Sequence, residues 1–178
     1  MIMTDIFLNY YLDVVIVLLL LLFLLSVYLR ARRKSRKHRM NIKQANKVLS
    51  KLSSIDSDGA RLNYLRKINH FVFEELLLSA FKKKGYKIIR NKRYTGDGGI
   101  DGQIIKDGKK ILIQAKRYSG YINAEDVVSL GEVVQRKKAD EGFFVHTGKT
   151  GAKSIEKKPS NITIISGSQL LKLVSIKE

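Results

Sequence analysis

The apolar positions of this chain follow two unlike patterns. Val14 to Leu25 is an unbroken apolar run, and Tyr10 to Tyr28 approaches the roughly 20 residues that a helix needs to cross a ~30 Å hydrocarbon core. Tyr10, Tyr11 and Tyr28 stand where interfacial aromatics collect, and Asp13 lies within about a turn of the outer boundary, in reach of headgroups. The run predicts a transmembrane helix over 10–29, after a short extracytoplasmic stretch, 1–9. Beyond it the apolar residues become periodic. Ile42, Ala45, Val48, Leu49 and Leu52 mark one helical face over 41–53. That face predicts a short juxtamembrane helix able to lie on the bilayer or to pair with a second copy. Ser53 to Gly59 reads as a linker.

From residue 60 the helical period returns at Leu62, Leu65, Ile68, Val72, Phe73, Leu76, Leu77, Ala80 and Phe81, and stops at Lys82-Lys83-Lys84-Gly85. Cations in the last turn with glycine just beyond are a helix stop; one long helix or two with a break near Asn69 fit equally. Short strands are predicted at 86–90, 100–105, 110–117, 142–146 and 162–165, and helices at 124–137, 152–157 and 168–176. Asp107-Gly108, between two apolar runs, is a hairpin turn signal. The resulting order is helix, three strands, helix, strand, helix, strand, helix. It describes an α/β domain with a mixed sheet, covering 60–178 behind a basic juxtamembrane segment, 30–59.

Charge sharpens this division. The chain has 34 Lys+Arg against 16 Asp+Glu, a net +18. Residues 1–29 contribute −2, residues 30–39 contribute +7, and the remainder +13. The cations after Leu29 obey the positive-inside rule and place the larger part in the cytoplasm. They also suit anionic headgroups. A cleaved signal peptide fits poorly, since the segment before the apolar run is negative and the run ends in Arg-Ala-Arg-Arg-Lys rather than in small residues. The absence of cysteine excludes a disulfide scaffold and thiolate-bound zinc or iron–sulfur centres. The +13 of the remainder favours a polyanion. Lys92, Arg93, Lys106, Lys109, Lys110, Arg117, Arg136, Lys137 and Lys138 are candidates to line a nucleic-acid groove.

Chemistry is concentrated in the predicted hairpin. Alternation along its second strand sends Ile111, Ile113 and Ala115 to one face and Leu112, Gln114 and Lys116 to the other. Asp101, after a glycine-rich approach, is expected opposite, near Lys116. An acid, an amide and an amine at one sheet edge suit Mg²⁺, which takes oxygen ligands and keeps several waters. A surface Asp–Lys ion pair satisfies the same spacing. Other chemistries fail. Gly96-x-Gly98 is followed by a strand where a dinucleotide loop needs a helix. A calcium loop starting at Asp97 would reach Gly108 where glutamate is required. His38, His70 and His146 have no metal-ligand spacing and read as solvated or packing histidines. No nucleotide P-loop is present.

Phe73-Glu74 with Gly85-Tyr86, then Thr95-Gly96-Asp97-Gly98-Gly99-Ile100-Asp101-Gly102, then Ile113-Gln114-Ala115-Lys116-Arg117-Tyr118, resembles the Mrr-type restriction endonuclease catalytic domain over residues 65–175. The resemblance implies a restriction-endonuclease-like mixed-sheet core flanked by helices. It also implies hydrolysis of DNA phosphodiesters with Mg²⁺ or Mn²⁺. By the same likeness Asp101 is the metal-binding carboxylate, Gln114 stands for the usual second acid as a metal ligand, and Lys116 is the catalytic lysine. Glu74 matches the family's helix glutamate, reaching the metal directly or through water. Asp97 also matches, with glycine-turn capping as an equal alternative to catalysis. His146, where the family often has threonine, and Ser166-Gly167, where it has Asp-Gly, depart from the pattern outside the catalytic set.

The expected protein is thus a single-pass, membrane-anchored, metal-dependent deoxyribonuclease. Its partners would be DNA and membrane lipid, and a homodimer would serve double-strand cleavage. Lys92, Arg93, Lys110 and Arg117 are the foremost candidates for DNA contact. A tethered DNA-binding module of the same fold without turnover is the rival, and an effector that cuts only when the anchor region is clustered or a partner signals, with the helix at 41–53 as the place of coupling, is a third.

Overall fold

The computed structural model describes residues 2–91 and 99–175, with side chains described over 15–33, 35–91 and 99–175. It divides into two compact units, Met1–Met40 and Asn41–Glu178. Helix α1 (Ile2–Leu52) supplies the first unit and the opening turns of the second. In the first unit the large apolar side chains from Val15 to Leu29 are all exposed, Phe23 at 64%. Among the described residues α1 is the one helix long and apolar enough to cross a membrane.

The second unit follows the predicted order. The periodic stretch after 57 is two helices, α2 (Asp58–Lys67) and α3 (His70–Lys83), broken where Asn69 caps α3 by accepting the Phe71 N–H at 2.9 Å. Ser57 caps α2, accepting the Ala60 N–H, so part of the expected linker is helix start. Then come β1 (Lys87–Arg90), β2 (Gly102–Lys106), β3 (Lys109–Lys116), α4 (Ala124–Arg136), β4 (Glu141–His146), α5 (Ala152–Glu156), β5 (Ile162–Ile165) and α6 (Gly167–Val174). The strands form one sheet in the order β1-β2-β3-β4-β5. The first two pairings are antiparallel and the last two parallel.

Each sheet face carries its own core. Ile104, Ile111, Ile113 and Val145 pack with Phe73, Leu76 and Leu77 of α3, Leu65 of α2 and Leu170 and Val174 of α6. Leu112, Phe144 and Ile162 pack with Val127, Leu130 and Val134 of α4. The first core also takes in Ala45, Val48, Leu49 and Leu52. The stripe expected to meet the bilayer or a second copy is therefore covered by the domain's own interior. Period alone marks a face as apolar and leaves its partner open.

Two close approaches need glycine. A Cβ at Gly102 would lie 2.6 Å from Leu78 of α3, and one at Gly142 would lie 2.6 Å from Ile162 of β5 and 2.8 Å from Val134 of α4. A side chain at either would displace packed side chains, on one face of the sheet and on the other. At the far end of the hairpin Asp107 and Gly108 have φ of 51° and 78°, the two left-handed residues of a tight type I′ turn.

Leu49 is 1% exposed, so Leu49→Ala is expected to destabilise the domain by about 2–5 kcal/mol. Leu21→Ala, on the exposed apolar part of α1, should leave the same transition in place. Chemical unfolding of the full chain in detergent, followed by tyrosine fluorescence, distinguishes the two.

Candidate active site

The turn at 107–108 sets the register of β2 on β3, with Lys106 opposite Lys109 and Gly102 opposite Ile113. Asp101, one step beyond, comes level with Gln114. Its backbone N–H donates to the Ile113 carbonyl at 2.8 Å, and its Oδ2 accepts the Ala115 N–H at 2.6 Å. The carboxylate is thus held by the backbone of the strand that carries Gln114 and Lys116. Lys116 follows on the Gln114 face, one same-face step farther than the sequence expectation of a direct Asp101–Lys116 pairing.

Gln114 is 8% exposed, and its Oε1 is buried without a hydrogen-bond partner. Its Nε2 lies where a Cβ on residue 99 would come within 2.7 Å, and Gly99 has φ of 79°. Glycine is required there twice, for the backbone and for the amide. A buried acceptor left unpaired costs roughly 1–3 kcal/mol.

Glu74 of α3 is half-buried beside this pair. Burial first, then the carboxylates of Asp101 and Glu75, push it up to about 8, against the opposing charge of Arg117. Glu75, next in sequence, is 2% exposed and has its own cation, accepting from Arg90 Nε at 2.7 Å. The structure therefore sets Asp101 level with Gln114 and Glu74 within electrostatic reach of Asp101, with Lys116 on the same strand as Gln114.

The donors are two carboxylates and an amide oxygen, all hard oxygen ligands of the kind magnesium takes. Among the described residues no three His, Cys, Asp or Glu side chains converge, so the set depends on the amide. The residues present fit a divalent cation. It would pair the orphaned Gln114 oxygen and relieve the repulsion that lifts Glu74.

The cations divide. Arg117 Nη1 donates to the Arg66 carbonyl at 3.1 Å and to that of Ile68, close enough to Glu74 to act on it. Lys110 is at the other end of β3, its Nζ donating to the Lys137 carbonyl at 2.9 Å, away from the cluster. Lys92, Arg93 and Asp97 lie outside the described residues.

His146 is fully buried at the end of β4, level with Lys116. Its Nδ1 accepts the Gly148 N–H and its Nε2 is 3.1 Å from Thr150 Oγ1. Nδ1 therefore carries the lone pair and Nε2 the proton. Burial pushes it down to about 4; it is a packing histidine. The sequence reading missed Arg66, whose guanidinium reaches Thr147 across 81 positions, and Tyr118, whose hydroxyl donates to Asp126 and is pushed up to about 12 by burial and that carboxylate. Neither contact has a local sequence signal.

The fold is a mixed-sheet α/β domain of the restriction-endonuclease-like class. Residues 65–174 match the Mrr-type catalytic domain, a restriction endonuclease family, and the chain belongs to it. It is 26% identical over 138 residues to the type IV methyl-directed restriction enzyme EcoKMrr of Escherichia coli K12, covering 72% of this chain and 45% of that protein. The chain thus spans under half of that relative's length. Among solved structures it is similar to MspJI restriction endonuclease in complex with a 27-mer oligonucleotide (TM-score 0.49, 23% identity, 65% of this chain and 30% of that one). It is also similar to the restriction endonuclease FokI (TM-score 0.47, 17% identity, 64% and 26%).

The shifted groups give opposite pH slopes in metal-free buffer. His146 stays neutral in the fold down to about 4, so its contribution is present above about 6.5 and is lost as pH falls below that. Glu74 binds its proton in the fold up to about 8 but releases it near 4.5 when unfolded, so stability falls as pH rises through that window. Between pH 6.5 and 8 only the Glu74 slope remains. The urea midpoint should decline there in the wild type and run flatter in Glu74→Gln.

Proposed function

We propose that this domain is a divalent-metal-dependent DNA endonuclease held at a membrane by α1. The observation that carries the reading is the buried, unpartnered Gln114 Oε1, level with a carboxylate that the Ala115 N–H holds in place. Asp101, Gln114 and Glu74 would hold Mg²⁺ or Mn²⁺. A cation bound there supplies a water of lowered pKa and offsets charge on the scissile phosphate.

The chain's own residues do the rest. The backbone fixes Asp101 so that its orientation is set before substrate arrives, and the Gly99 gap orients the Gln114 amide. Lys116 brings a positive charge to the phosphate oxygens that gain charge in the transition state, or orients the attacking water. Arg117, with Lys92 and Arg93 on the approach to Gly99, meets the phosphate backbone, whereas Lys110 serves the fold. With one site per chain, double-strand cleavage calls for two copies. The presence of Glu74, Asp101, Gln114 and Lys116 together favours turnover over a binding module that has lost it. A role in restriction follows from family membership.

The membrane part of the proposal rests on α1. Its exposed apolar surface needs a non-aqueous environment, and residues 14–55 contain no Asp or Glu. Arg32, Arg33, Arg36 and Arg39 line one side of the helix, a stripe suited to anionic headgroup phosphates. The positive-inside rule then places the nuclease domain in the cytoplasm.

The full chain with supercoiled plasmid and Mg²⁺ tests the reading. Nicking should vanish with chelator and fall about 100-fold or more in Asp101→Asn and in Lys116→Ala. Equal nicking by wild type and both variants would overturn the site. DNA affinity should also drop by orders of magnitude between about 50 and 200 mM salt; a flat response would remove the phosphate-contact surface.

A further inference from the structure

Helix α2 is tied to the end of the site strand by two arginines that point in opposite directions. Arg66, in the last turn of α2, donates from Nε and Nη2 to the Thr147 carbonyl at 3.0 and 2.8 Å. Arg117, directly after Lys116, donates back to the carbonyls of Arg66 and Ile68. Those carbonyls end α2, where no intrahelical donor is left and the helix dipole is negative. Each arginine therefore meets a main-chain group that the other's segment presents.

Thr147 is fully buried and serves as the hub. Its N–H donates to the Lys116 carbonyl at 3.3 Å, and its Oγ1 donates to the Tyr118 carbonyl at 2.9 Å. Residues 116, 117 and 118 are thus each fastened, by carbonyl, side chain and carbonyl in turn. Among the described residues the Lys116 amine makes no hydrogen bond or ion pair, so its backbone is held while its head stays available. Gly148, next to the hub, is closed in as well: a Cβ there would lie 2.5 Å from both the Gly120 carbonyl and Tyr118 Cβ.

We infer that Arg66 is a positioning residue for Lys116, acting through the Thr147 carbonyl to hold the end of β3 where the amine serves the site. The inference rests on the nuclease reading for its consequence, but its physical content is the restraint on residues 116–118. A planar fork delivering two N–H groups to one carbonyl restrains direction as well as distance, which a single ammonium donor does less well.

Wild type, Arg66→Ala and Arg66→Lys in the full chain are compared by amide hydrogen exchange and by single-turnover nicking of plasmid DNA with Mg²⁺. In Arg66→Ala, exchange should rise in the segments 116–118 and 147–149 and stay unchanged in β2 and α4. The nicking rate should fall about ten- to a hundred-fold, with DNA affinity within about two-fold of wild type. Arg66→Lys should recover part of both effects. Exchange that stays at the wild-type level in residues 116–118, or that rises throughout the domain, overturns the inference. So does a fall in DNA affinity that accounts for the whole loss of rate. If the wild type itself does not nick, the nuclease reading fails, and exchange still decides whether Arg66 holds the strand end.

Discussion

The register of one hairpin governs the site. Two consecutive residues with positive φ at 107–108 close the turn, and from there the ladder runs without a break to Gly102 opposite Ile113. Side chains on a strand alternate faces, so a slip of one residue would turn Asp101 away from Gln114 and move Ile104 out of the core at the same time. The hydrophobic core and the candidate site are therefore secured by the same pairing. Core burial of Ile104, Ile111 and Ile113 makes the alternative registers costly, and the position of the carboxylate follows.

What that pairing assembles is poorly satisfied on its own. An amide oxygen is buried without a donor, and a half-buried glutamate is raised by burial and by the charges of Asp101 and Glu75. The surroundings compensate where they can: Arg90 pairs Glu75, the Ala115 N–H serves Asp101, and Arg117 offsets Glu74. Among the described residues the buried side-chain atom left without a partner is Gln114 Oε1. A buried acceptor left in this state is the feature on which the proposed cation site rests.

The N-terminal helix has two different physical tasks. From Val15 to Leu29 its large apolar side chains are exposed. From Asn41 its apolar stripe is part of the catalytic domain's core, beside α2 and α6. The segment between is almost purely cationic. Helix α2, in turn, is fastened to the segment that carries Lys116 through Arg66 and Arg117. The last turns of α1 are thus a structural member of the nuclease domain, and the short helix of the sequence reading is not a separate module.

Local signals were enough for much of this. The Asp107-Gly108 turn, the alternation along β3 and the order of the later elements follow from period, caps and turn chemistry, because each depends on neighbours within a few positions. One helix or two fit the stretch after 60 equally, and the structure decides for a break at Asn69. The candidate residues Asp101, Gln114, Lys116 and Glu74 were legible through motif resemblance and strand alternation. Four further things needed the folded chain. The stripe at 45–52 has the same period whether it meets lipid, a second copy or its own core, so its partner is a tertiary fact. Asp101 stands level with Gln114 and not Lys116, because the ladder and not the loop length sets the offset. Lys110 and Arg117 look alike in sequence, yet one amine ends on the carbonyl of Lys137 and the other cation lies beside Glu74. Contacts such as Arg66 to Thr147 join positions 81 residues apart, and no local pattern encodes them; only the packing of α2 against the strand ends decides them.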